Sequence, residues 1–278
     1  MNDFLRALIA GVVLLVVGGS AYLWWQERQA AGEPPAAASA AAVAEPAAQA
    51  TAPLHHAIEA ITPPLPEAAL PPLTDTGSEV SDALSDLLGR QGVLSFLDVG
   101  DFAHRVVATV DNLARAHAAS RLWPVVPAPG RFQVSEHDGA TYIADDNAKR
   151  YAPFVRFVSA INSEDAVALY VRMYPMLQKA YEELGYPGKY FNDRLVQVID
   201  LLLATPESKA PVRLTLTEVK GTHELPRPWV RYEYADTSLE GRPAGQKILL
   251  RMGSENARQL KGKLREFRQR VASGGVTG

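Results

Sequence analysis

Cysteine is missing from the chain altogether, which excludes disulfides, cysteine-ligated zinc, iron–sulfur clusters, thiol nucleophiles and a lipidated N-terminal cysteine. Its absence does not fix a compartment. A dominant charge is missing too. The formal net charge is -3 over 278 residues, so nucleic acid is not an expected partner, because such binding rests on Lys and Arg neutralising phosphates. Histidine is scarce: His55 and His56 fall in a proline-rich passage, and His104, His117, His137 and His223 lack zinc-like spacing. There is no H-E-x-x-H, P-loop, G-x-S-x-G or G-x-G-x-x-G, so no metal and no cofactor is expected. These absences exclude familiar local signatures only, since a catalytic group assembled from distant residues leaves no such trace.

Lysine and arginine are absent in their turn from Gln29 to Pro72, where Ala and Pro dominate. Proline removes backbone donors and fixes φ, so this stretch reads as a disordered Ala/Pro-rich linker over 29–72. Fully extended, it reaches on the order of 130 Å. Ahead of it, Ala7 to Trp25 (ALIAGVVLLVVGGSAYLWW) runs for nineteen residues without a formal charge. At ~1.5 Å per residue, a helix of that length just spans a ~30 Å hydrocarbon core. Tyr22, Trp24 and Trp25 then fall where an aromatic belt sits. A cleaved signal peptide has a shorter apolar region ending in a small-x-small site, so residues 1–28 read as an uncleaved anchor that puts residues 7–25 in the lipid bilayer. Arg6 and Arg28 flank the run one each, and the short N-terminal stub favours the cytoplasmic side for it. The expectation is a single-pass protein of the bacterial inner membrane with its C-terminal head in the periplasm.

The head, over 73–272 with a frayed tail at 273–278, has mostly helical periodicities. Val80, Leu84, Leu87 and Leu88 mark one helix over Ser78 to Leu88, and Phe102, Val106, Val110 and Leu113 mark another over Asp101 to Ala116. Between Arg131 and Asp145 apolar and polar residues alternate about Asp138-Gly139, the pattern of a small hairpin. Pro153 opens a short helix to Ile161. Ser163 is read as the cap of a longer helix that ends near Gly185 and should kink at Pro175. Strand candidates follow at Val212 to Thr217 and Trp229 to Ala235, then a last helix from a Ser254 cap to Val271. The fold class is mainly α, with a small β-hairpin or sheet.

Three stretches carry a resemblance: Val107 to His117 (VATVDNLARAH), Tyr170 to Pro206 (YVRMYPMLQKAYEELGYPGKYFNDRLVQVIDLLLATP) and Gly245 to Arg268 (GQKILLRMGSENARQLKGKLREFR). They resemble a family of proteobacterial membrane-anchored proteins, domain of unknown function 3014, over about Leu73 to Arg268. The resemblance implies the same layout of anchor, spacer and helical head. It brings no activity or catalytic residue to transfer.

Tyr186 to Pro206 is the chemically densest stretch. Pro187-Gly188 is a turn pair, Asn192 reads as an N-cap, and Asp193 suits the first turn of a helix dipole. Leu195 to Leu203 then covers most of a helical cylinder, leaving Asp193, Gln197 and Asp200 as its polar stripe. The plain reading is a cap, a turn and an ion-pair network. The functional one is a ligand-binding patch of Tyr186, Tyr190, Asn192, Asp193, Arg194 and Asp200, a mix suited to carbohydrate or peptide. As paired carboxylates Asp193 and Asp200 are ~10.5 Å apart along the axis, too far for a retaining glycosidase and at the edge for an inverting one. Tyr170, Tyr174 and Tyr181 at helical spacing read as core residues with hydroxyls at the rim. Towards the C-terminus eight Lys or Arg lie between Lys247 and Arg270 against two acids. Arg258, Lys261, Arg265 and Arg268 form either a solvated helix face or a patch for an anionic polymer or lipid. The functional expectation is a membrane-anchored protein that binds or organises an envelope protein or cell-wall polymer, and more a binder than an enzyme. The alternative is an envelope hydrolase with its site near Tyr190 to Asp200.

Overall fold

The structure is a computed structural model, and it describes residues 56–61, 72–73, 77–208, 210–217 and 231–272. The apolar run at 7–25, most of the expected linker and the tail at 273–278 lie outside the described residues. Among the described residues no helix is long and apolar enough to cross a membrane.

Hydrophobic spacing is expressed as a packed group of helices. They are α1 (Gly77–Leu88), α2 (Arg90–Phe96), α3 (Phe102–Leu113), α4 (Ala152–Ala160), α5 (Ser163–Glu183), α6 (Phe191–Leu203), α7 (Thr237–Glu240), α8 (Ala244–Arg251) and α9 (Ser254–Val271). The largest core cluster draws Val80 and Leu84 from α1, Val107 from α3, Leu177 from α5, Phe191 from α6 and Val271 from α9. Burying each large apolar side chain stabilises the fold by about 1.5–3 kcal/mol. The fully buried stripe of α3 is Ala103, Val107 and Asp111, with Phe102, Val106 and Val110 only half-buried beside it. A carboxylate thus stands on the inner face of a core helix.

The expected hairpin forms β1 (Val134–His137) and β2 (Ala140–Ile143), paired antiparallel with His137 opposite Ala140. Asp138 and Gly139 both take positive φ, 51° and 70°, the backbone that a two-residue hairpin turn demands. The later strand candidates shorten to β3 (Arg213–Leu216) and β4 (Tyr232–Tyr234) and join the hairpin in one antiparallel sheet of order β1-β2-β3-β4. Leu214 and Tyr234 of the sheet are buried with Leu250 of α8. Asn147, fully buried, holds sheet and helices together: its Oδ1 accepts from the Gln133 N–H at 3.1 Å and its Nδ2 donates to Arg251 O at 2.9 Å.

Three cap assignments change. Asn162, not Ser163, caps α5, accepting from the N–H groups of Glu164 and Asp165, while the Ser163 hydroxyl donates to Glu266 at 2.6 Å. At α9 the cap position is Gly253, at φ 87°, and Ser254 is the first helical residue. At α6 the cap position is Tyr190 and no side chain of its own caps it; instead Gln178 of α5 accepts the Phe191 N–H at 2.8 Å. At α5 and α6 the short polar side chain just inside the helix finds another partner, Glu266 for Ser163 and Tyr170, His56 and Val271 for Asn192. α5 is assigned as a helix straight through Pro175. The proline ring leaves its turn short of a donor, and the Leu73 N–H donates to Arg172 O beside it at 3.1 Å.

Candidate functional site

α5 and α6 are joined by a turn that passes through positive φ at Gly185 and Gly188, 107° and 71°, so the chain reverses within a few residues. The reversal stacks two aromatics and a cation. Tyr181 of α5 lies against Tyr186 of the turn, with centroids 4.6 Å apart and planes inclined by 20°, and the Lys189 ammonium sits 5.4 Å from the Tyr186 centroid. With Tyr190 and the Asp193, Gln197 and Asp200 stripe of α6 they border a groove of about 620 Å³. Burial pushes the Tyr181 phenol up from its ordinary range, so it stays a neutral hydroxyl at physiological pH.

Beneath the groove lies Asp111, 2% exposed. Arg194 donates to its Oδ1 from Nε at 3.1 Å, with Nη2 2.8 Å from the same oxygen. Arg115 meets Oδ2 from Nε at 3.0 Å and from Nη2 at 2.5 Å. The Tyr186 hydroxyl is 3.2 Å from Oδ2 and accepts in turn from Arg115 at 2.9 Å. Two guanidiniums and a phenol on one buried carboxylate make a rigid floor, since breaking such a set leaves an uncompensated charge. Arg194 also donates to Gln197 at 2.7 Å.

One wall comes from the expected linker. Residues 56–61 are placed against the helices, with a 3₁₀ turn at Ile58–Ala60 and with Ile58 and Ile61 packed on the core, which corrects the reading of 29–72 as disordered throughout. The His56 N–H donates to Asp193 Oδ1 at 2.7 Å, and His56 O accepts from Asn192 at 2.9 Å. His56 borders the groove, and its Nδ1 is buried without a hydrogen-bond partner among the described residues.

The structure thus brings Tyr186, Tyr190, Asp193, Arg194 and Asp200 to one groove and separates Asn192 from it. Asn192 is fully buried: it accepts from the Tyr170 hydroxyl at 2.9 Å and donates to His56 O and to Val271 O, the latter at 3.1 Å. It is neither a cap nor a ligand group but a tie between three segments. Tyr170 and Tyr174 are core residues, as expected. Burial drives the Tyr170 hydroxyl well up and the Tyr174 hydroxyl to about 12.

The basic residues do not form one face. Arg268 is paired with Asp200, its Nη2 2.8 Å from Oδ2, so the end of the polar stripe and the last helix meet. Arg258 is 2.5 Å from Glu255. Lys261 is 5% exposed and donates to Thr205 O at 2.5 Å, which removes it from any solvated patch. Arg265 is exposed.

Sequence reading missed Asp111 and His56. The signal for Asp111 was available, an acid four residues after Val107 on the buried stripe; for His56 there was none, because nothing local ties it to Asp193.

A protein family of unknown function, DUF3014, has a sequence profile that matches residues 102–268. The chain belongs to the DUF3014 family. The match takes in Asp111 and the whole Tyr181 to Asp200 segment, begins later than the expected Leu73, and leaves out His56. No curated protein and no solved structure matches the chain. Among the described residues of this DUF3014 member no three His, Asp or Glu gather as metal ligands would.

Proposed function

We propose that this chain is a single-pass envelope protein, held in the inner membrane through residues 7–25, whose periplasmic head binds a cell-wall polymer in the tyrosine groove. The reading is carried by one observation: a groove of about 620 Å³ in which the aromatic residues Tyr181, Tyr186 and Tyr190 border the same space as Asp193, Gln197 and Asp200. Ring faces take the apolar faces of a sugar or peptide, and amide, carboxylate and hydroxyl groups take its polar edges. The rigid Asp111 floor supports binding without rearrangement, which lowers the ordering cost of association. Asp193 and Asp200 already accept bonds from His56 and Arg268, so binding rather than hydrolysis is the function carried forward. The apolar run and the spacer support the location.

The experiment has two parts. Protease access to a C-terminal tag in intact spheroplasts reports the side of the membrane; protection until lysis overturns the periplasmic reading. Retention of the solubilised chain on immobilised wall fragments reports binding. Tyr190→Ala and Gln197→Ala are expected to weaken retention about tenfold at unchanged melting temperature, as loss of a stacked ring or hydrogen bond of ~1.4 kcal/mol implies. Equal retention by both variants overturns the groove.

A further inference from the structure

Away from the tyrosine groove, the helices leave a second cavity, of about 440 Å³. Its lining is aliphatic and aromatic, with Phe154 and Val158 from α4, Leu260 and Leu264 from α9, Leu202 from α6 and Leu249 from α8. Close-packed interiors hold few voids larger than a water molecule, whereas small-molecule sites run to ~300–1,000 Å³ and are mostly apolar with a few placed polar groups. Among the described residues the lining carries a single charged side chain, Lys263, and a single hydroxyl, that of Ser163.

Those two are not equally available. The Ser163 hydroxyl donates to Glu266 at 2.6 Å. The Lys263 ammonium donates to Ile161 O and to Glu266, each at 3.0 Å, and an ammonium has three donors. Its third N–H is uncommitted among the described residues. Glu266 is paired with Lys263 at 3.0 Å, and Arg270, near it, is 3.3 Å from Glu164; the bonds from Ser163 and Lys263 hold the Glu266 carboxyl below the usual range.

We propose that this cavity takes the acyl chain of a fatty acid, with the hydrocarbon among the leucines and the carboxylate at Lys263. The lining selects the chain, because a polar ligand entering it would forfeit hydrogen bonds that only Ser163 and Lys263 could restore. The ammonium selects the head, since the one charged lining side chain is a cation whose third N–H can donate to a carboxylate. The site is distinct from the tyrosine groove and stands or falls apart from the wall-binding function.

The test uses the full chain in its own membranes. Palmitate bearing a diazirine near its chain end is photolysed with those membranes, and adducts are located by mass spectrometry. Adducts are expected on α4 and α9, around Val158 and Leu264, competed by free palmitate about tenfold better than by hexadecanol. Lys263→Met is expected to abolish that preference while keeping the adducts. Val158→Trp fills the cavity and is expected to remove them; Ala166→Trp does so from another wall if the first variant does not fold. Adducts found only elsewhere, adducts that persist in a folded tryptophan variant, or hexadecanol competing as well as palmitate would each overturn the proposal.

Discussion

The two cavities of the head are bordered by opposite chemistry, although α6 contributes to both. Gln197 and Asp200 border the tyrosine groove, while Leu202, little more than a turn on, lines the apolar cavity. On the polar side order comes from directional bonds converging on Asp111, which fix Arg194, Arg115 and Tyr186 in one arrangement. On the apolar side it comes from how closely backbones approach. The first is therefore sensitive to the loss of a charge and tolerant of added bulk; the second is the reverse.

Asp111→Ala should break this contrast most severely. Two guanidiniums lose their common partner, and removing one member of a buried ion pair costs about 3–5 kcal/mol. A fall in melting temperature of about 10 °C is expected for a chain of this size, with the apolar cavity still labelled by the palmitate probe in the fraction that folds. Thermal unfolding followed by circular dichroism checks it.

Next in size come two glycines that separate close approach from open space. A Cβ at Gly245 would stand 2.5 Å from Leu202 Cδ2 and 3.1 Å from Leu113 O, whereas one at Gly262 meets nothing within 4 Å. Gly245→Ala is expected to cost about 1–3 kcal/mol through overpacking at the apolar cavity. Gly262→Ala, within α9, should gain about 0.5–1 kcal/mol by relieving helix entropy. Denaturant midpoints of the pair measure both signs in one series.

The smallest expected effect is a pH dependence on α3, at a residue that lines neither cavity. His104 is 2.8 Å from Glu183 and 2.7 Å from Asp101, and the bond to Glu183, followed by that to Asp101, raises its pKa above 6.5 against the opposing effect of burial. A raised folded pKa means that the contribution is complete below pH 6.5 and is lost as pH climbs through the folded value. With the ring 43% exposed, solvent screening holds it to a few tenths of a kcal/mol. His104→Gln should flatten the stability profile over that interval, as read from unfolding midpoints at stepped pH.

The contrast between the cavities also explains what could be read from residues alone. The helices α1, α3, α5, α6 and α9, and the Asp138-Gly139 hairpin, were legible because apolar periodicity and turn chemistry are local. So was the polar stripe of α6, since Asp193, Gln197 and Asp200 interrupt an otherwise oily cylinder. The apolar cavity was not, because Leu260, Leu264 and Phe267 have the same spacing whether they meet a neighbour or leave a space. α8 escaped notice as eight residues with a glycine near the start. Asn192 misled because an amide at a helix start is a strong cap signal, and only Tyr170, His56 and Val271, all distant in sequence, convert it to a buried tie.

That tie constrains the order in which the chain can finish folding. Asn192 joins partners 22, 136 and 79 positions away, and contacts of long sequence separation form only after their loops have closed. Val271 comes 79 positions after Asn192, so one N–H of this fully buried amide lacks its acceptor until α9 has been made. The helical head thus commits to its native state only once α9 has left the ribosome, and a chain that ends before α9 is complete is left with a donor that the core penalises.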